Sequence, residues 1–160
     1  MSGTETAPSA VEARLAGLGI TLPAVAAPVA SYVPAVISGT FVYTSGQLPF
    51  IDGKLPATGK VGAAVDADTA QSLAATCAVN ALAAVKERIG DLDRVTRIVK
   101  VVGFVASDPS FTGQPVVING ASNLLGEVFG DAGVHARSAV GVAVLPLDAP
   151  VEVEMIVEFV

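Results

Sequence analysis

The chain is short of the residues that carry the most conspicuous chemistry. Its 160 residues hold one cysteine, one histidine and no tryptophan, and only 15% are charged. A lone cysteine excludes an internal disulfide and suits a reducing compartment. Cys77 stands in an alanine-rich helical run, so a small buried core residue is expected there rather than a nucleophile. His135 has no second histidine or cysteine near it, makes no metal site alone and completes no nucleophile triad; at most it positions a neighbour. No metal or cofactor is expected. Nine Lys and Arg against fifteen Asp and Glu give a net charge of -6, with no basic cluster. Phosphate neutralisation needs a positive stripe, so nucleic acid is not an expected partner. Long apolar runs are missing too. Hydrophobic residues reach 52% and mean hydropathy is +0.65, yet proline, glycine or polar residues break every run. None reaches the roughly 20 residues of a spanning helix. Met1 to Ala10 lacks the basic start and apolar centre of a signal peptide. These absences predict a soluble, cytoplasmic protein with no membrane partner, whose surplus of alanine and valine is hidden between copies of the chain.

What is present fits one domain. Residues 1–8 are expected as a disordered leader and 9–160 as a single domain, with a helix and an extended segment over 9–30 and the core over 31–160. Ser9 caps a first helix to Gly19, with Val11, Leu15 and Leu18 at helical spacing, expected as an outer appendage. Pro23, Pro28 and Pro34 then keep the chain extended. Ala35 to Ser38 and Phe41 to Ser45 read as a hairpin about Gly39-Thr40. After a loop from Phe50 to Gly59, a short strand is expected at Lys60 to Ala63. Asp66 to Ile89 is the longest helix, with Asp66 or Asp68 as cap, Gly90 as stop and Asn80 on its surface or edge. Val95 to Val105 is β-branched enough for a central strand buried on both faces. Gln114 to Phe129 forms a second long helix with Pro115 in its first turn and Asn119 near its start, where a polar amide is ordinarily a local cap or surface group. Val151 to Val160 is the last strand, with Glu152, Glu154 and Glu158 sharing one face.

The most specific stretch is His135-Ala136-Arg137-Ser138 through Leu145-Pro146. From Arg137 to Leu145 the residue types alternate as in a strand, and Arg137 shares its face with Ala139 and Gly141. An arginine over a floor of small residues can grip a carboxylate with two parallel hydrogen bonds. Taken alone, the plainer reading, a strand-end residue in a structural ion pair, is preferred. Ser45-Gly46, at the exit of the hairpin, offers a hydroxyl beside an open backbone, which suits a small polar ligand as well as a plain turn.

Together Tyr32, Thr44-Ser45-Gly46-Gln47-Leu48-Pro49, Gly103-Phe104-Val105, Asn119, and Arg137-Ser138-Ala139-Val140 through Leu145-Pro146 to Glu152 resemble the reactive-intermediate deaminase family. This family is also known as Rid or YjgF and as L-PSP endoribonuclease-like. The resemblance runs from about Ser31 to the end of the chain and is closest to a longer subgroup with an extra N-terminal helix. It implies a chorismate-mutase-like α+β fold, a mixed sheet covered on one face by two helices, and a homotrimer whose sheets form a barrel with sites in the clefts between subunits. It implies hydrolysis of enamines and imines such as 2-aminoacrylate and 2-iminopropionate to 2-oxo acids and ammonia. By position Arg137 would bind the substrate carboxylate and Glu152 would orient water. Tyr32, Ser45, Gly46 and Asn119 would line the pocket, Asn119 lying one residue further from Arg137 than is usual. Ala139 stands where many members have cysteine, keeping the backbone amide and carbonyl but no thiol.

The short link Leu147 to Pro150 suggests that the last two strands pair antiparallel, which would set Glu152 about 25 Å from Arg137. Both could then serve one small substrate only if two subunits share the site. The alternatives are a ligand-binding or chaperone-like trimer that holds a small carboxylate without turnover, hydrolysis of a larger enamine or a related deamination, and an endoribonuclease, which the charge disfavours.

Overall fold

The computed structural model describes residues 9–25, 28 and 31–160. The expected leader and part of the expected extended segment lie outside these. Along the described chain run α1 (Ala10–Gly17), β1 (Ala35–Ser38), β2 (Phe41–Thr44), α2 (Ala67–Ile89), β3 (Val95–Ala106), α3 (Gln114–Phe129), β4 (Ala136–Val142) and β5 (Val151–Phe159). The strands make one mixed sheet in the order β1-β2-β5-β3-β4. This is the α+β architecture the resemblance implies.

The long helices begin and end on local signals. Asp66 accepts from the Thr69 amide at 2.7 Å at the start of α2, and Gly90, at φ 86°, ends it. Pro115 opens α3 and Gly130, at φ 60°, closes it. Ala70, Ala74, Ala78 and Ala81 of α2 are fully buried. A methyl group at Gly120 of α3 would collide with the Gln71 carbonyl, so the glycine is what lets the two helices meet. On β5, Val151, Val153, Met155 and Val157 are buried beneath the helices while Glu152, Glu154, Ile156 and Glu158 alternate onto the other face. Each fully buried Val or Met contributes about 1.5–3 kcal/mol of hydrophobic stabilisation. The helix-free face carries exposed apolar side chains, among them Val36 at 50%, Tyr43 at 42% and Val140 at 43%.

Several expectations are corrected. β4 and β5 do not pair: β4 runs parallel to β3, with Arg137 beside Val101, and β5 lies antiparallel on the other side of β3, with Glu152 beside Phe104. The helix α3 makes the crossover that a parallel pair requires. β4 also stops at Val142, short of Leu145. Residues 60–63 form no strand; Val61 makes single bridges to Val65 and Ser107. β3 is buried on its helix side at Ile98, Val101 and Val105, while Lys100, Val102 and Phe104 opposite are only partly covered.

The first helix is no appendage. Val11 and Leu15 are in the core, and Ser9 caps the helix as expected, accepting from the Glu12 amide at 3.2 Å. Asp93 reaches back from the turn before β3 and accepts from the Val11 and Ala10 amides, at 2.9 and 2.8 Å, and from Ser9 Oγ at 2.9 Å. The two amide bonds are the main reason its carboxyl is held below the usual range. Arg14 Nε donates to the Val128 carbonyl at 2.6 Å near the end of α3, and Glu12 pairs with Lys86 of α2.

Candidate functional site

Arg137 enters the edge strand β4 on its helix side, in line with Val101 and Met155. There its guanidinium meets α3. Nη1 donates to Asn119 Oδ1 at 2.8 Å and to Ser122 Oγ at 3.2 Å, and Nη2 donates to the Pro115 carbonyl at 3.2 Å. Pro115, Asn119 and Ser122 are spaced by four and three residues, which puts them on one face of the helix. All three oxygens are neutral. Among the described residues the ion pair present is Lys86 with Glu12, and Arg137 has no acidic partner. The structural ion pair is therefore not what holds this arginine. Of its five N–H groups, Nε–H and one on Nη2 remain, on adjacent nitrogens, the spacing a carboxylate takes in a two-bond grip. Asn119 is thus more than a local cap: its oxygen orients the cation. Ala139, two residues along on the same side, packs partly against the core.

The second group of residues gathers where β2 leaves the sheet. Gln47 and Val153 exchange backbone bonds of 2.8 and 3.0 Å, and Thr44 Oγ1 accepts from the Met155 amide at 3.0 Å. These bonds bring Gly46 under the Glu152 side chain. A methyl group at Gly46 would collide with the Glu152 carboxylate, so this glycine makes room for the acid. Ser45 Oγ donates to the Val33 carbonyl at 2.6 Å and its amide to Pro34 at 2.8 Å, which ties the segment carrying the exposed Tyr32 to the same corner. Asn80, expected at the surface of α2, is partly buried and fixes the loop beyond: Nδ2 donates to the Leu48 and Phe50 carbonyls at 2.9 and 3.1 Å. Glu152 is half-buried. That burial, reinforced by the neighbouring charge of Glu154, raises its carboxyl above the ordinary range. Cys77 lies fully buried behind it, as expected, with its thiol pushed well up by burial and then by Glu152.

The fold therefore divides the expected site residues into two corners: Arg137, Asn119 and Ala139 on one, Tyr32, Ser45, Gly46 and Glu152 on the other. From the register, the Cα atoms of Arg137 and Glu152 are two strands and three residues apart, about 14 Å, shorter than the pairing expected from sequence implied. Their side chains leave opposite faces of the sheet. The residues missed by the sequence reading are Ser122, whose spacing from Asn119 was a usable signal, and the Pro115 carbonyl, a backbone group that left none. No cluster of three or more metal-ligating side chains occurs among the described residues, and no described helix is long and apolar enough to cross a membrane.

A mixed sheet with helices on one side and two separated charged corners defines a class of α+β protein, and comparison places the chain within it. The family model described as YjgF/chorismate mutase-like, putative endoribonuclease, matches residues 12–159, and the chain belongs to this family. Protein TCP17 of Trypanosoma cruzi is 50% identical over 149 residues, spanning 92% of this chain and 93% of that protein. A solved protein of unknown function from Agrobacterium tumefaciens is 52% identical with a TM-score of 0.89, over 94% of this chain and 93% of that one. Escherichia coli TdcF, solved with bound serine, is 27% identical with a TM-score of 0.61, over 88% and 97% of the two chains.

Proposed function

We propose that the protein is a hydrolytic deaminase of enamine and imine intermediates derived from amino acids, releasing 2-oxo acids and ammonia, with each site assembled between two subunits of a homotrimer. The observation that carries the reading is the half-buried guanidinium of Arg137. It is oriented by neutral oxygens, lacks an acidic partner among the described residues, and keeps two adjacent donors for a carboxylate. In the proposed reaction Arg137 holds the substrate carboxylate, and Asn119 and the backbone at Ala139 flank it. Glu152 of a neighbouring copy, with Ser45, Gly46 and Tyr32 about it, directs water at the imine carbon. The water oxygen bonds to that carbon as Glu152 takes a proton; the proton passes to nitrogen, the C–N bond breaks, and ammonia and the 2-oxo acid leave. An imine carbon is already electrophilic, so this chemistry needs no group beyond the side chains named. The exposed apolar face of the sheet suits association of copies.

The second reading, a trimer that binds small carboxylates without turnover, is favoured by the serine bound to TdcF. An endoribonuclease is disfavoured by the net charge of -6 and the lack of a basic stripe. The deciding experiment generates imines in place with an amino-acid oxidase and measures ammonia and 2-oxo acid for the wild type and Arg137→Ala. Accelerated release by the wild type, lost in the variant, is the expected result. Saturable binding with no release would move the protein to the reading of a trimer that binds without turnover.

A further inference from the structure

The arginine corner continues past Ser122. Gly133 lies in the turn between α3 and β4, so close to α3 that a methyl group there would collide with the Leu125 carbonyl. This close seat sets the Gly133 carbonyl 2.6 Å from His135 Nδ1, and His135 Nε2 lies 2.8 Å from Ser122 Oγ. A carbonyl can only accept, so Nδ1 carries the proton. In the neutral ring Nε2 then presents a lone pair, and the Ser122 hydroxyl must donate to it. With its hydrogen directed at His135, Ser122 turns oxygen lone pairs toward Arg137 Nη1, 3.2 Å away. Every donor in the chain from Arg137 to Gly133 meets an acceptor.

We infer that Ser122 and His135 are positioning residues, a relay of hydrogen-bond direction from the Gly133 backbone that locks the rotation of the Arg137 guanidinium and keeps its remaining donors aimed at the substrate carboxylate. The inference rests on the proposed reading only for the ligand; the lock itself is a property of the chain. Without the relay the guanidinium keeps Asn119 on Nη1 and the longer 3.2 Å bond to the Pro115 carbonyl on Nη2, a weaker hold against turning of the planar fork.

The test reads both parts. In the intact protein labelled with 15N-arginine, exchange between the Nη hydrogens reports rotation of the guanidinium, with Arg137→Lys identifying its signals among the five arginines. Pyruvate titrations of the same samples report the grip on a carboxylate. Ser122→Ala and His135→Leu are each expected to speed rotation and to weaken pyruvate binding about tenfold, the loss of one hydrogen bond to a charged group. The double variant is expected to be no worse than either single one, because both act through one hydroxyl. His135→Gln, whose side-chain oxygen can replace the Nε2 lone pair, is expected to keep rotation and pyruvate affinity close to those of the wild type. If Ser122→Ala folds with unchanged rotation and affinity, the relay is overturned. If rotation is released as expected but the wild type binds no pyruvate, the relay stands and the carboxylate reading falls. Should His135→Leu fail to fold, Ser122→Ala and His135→Gln decide the matter by the same two measurements.

Discussion

At the corner formed by β4 and α3, a cation is held by neutral oxygens; at the corner formed by β2 and β5, an acid is held against a glycine with a second acid for company. Fixing Arg137 without cancelling its charge leaves a directed demand for an anion. Burying Glu152 with no ion-pair partner among the described residues makes its carboxylate a better proton acceptor than an exposed glutamate. The two demands are complementary, yet they open on opposite faces of one sheet, about 14 Å apart. A substrate of a few atoms can use both only where two copies meet.

On the proposed reading, the largest effect comes from Arg137→Ala, expected to lower kcat/KM about 1000-fold in the ammonia assay, chiefly through KM, because the proposed carboxylate anchor is gone. Glu152→Gln should act through kcat instead, by about 100-fold, with KM little changed. An equal effect of the two changes on KM would erase the distinction between the corners. Glu152→Gln also has an expected thermal signature. The folded carboxyl is raised, so its contribution to stability is full below the unfolded value and is lost as pH rises through the folded value. The variant should therefore melt above the wild type at neutral pH, with the difference closing in acid.

Gly46→Ala probes how the acid is seated. The added methyl group displaces the Glu152 carboxylate, the mobile end of a side chain, so the fold should survive while kcat falls roughly tenfold. A normal rate would mean that the seat is unimportant. The gentlest change is Glu154→Gln. It removes the smaller cause of the raised Glu152 carboxyl and leaves burial in place. The acid limb of the kcat/KM profile, where a deprotonated base is lost as pH falls, should shift toward lower pH. A limb that stays in place would take Glu152 out of the base role.

Much of this was legible from local signals. Asp66 and Gly90, then Pro115 and Gly130, bracket the two long helices because caps and stops act within a turn or two of the chain. Sheet order is not local. The link after Pro146 looked like a hairpin, but Leu147 and Asp148 both adopt φ near +59° there, and the chain passes over β3 to the far side of it. Alternation along a strand tells which residues share a face and is silent about the neighbouring strand. Arg137 and Glu152 could be named from the motifs; their opposite faces emerged only with the register. Ser122 hid behind the ordinary look of a serine in a helix, although its spacing of three from Asn119 already put the two polar side chains on one face.

The most direct test mixes two impaired proteins. Arg137→Ala and Glu152→Gln chains, unfolded together in equal amounts and reassembled, should regain activity, because about one quarter of sites in a closed ring would pair an intact arginine with an intact neighbouring glutamate. Each variant reassembled alone should keep only its own residual rate, about one hundredth of the wild type or less. If the mixture also stays at that residual rate while exchange of chains is verified, Arg137 and Glu152 do not meet across subunits, and the divided site is wrong.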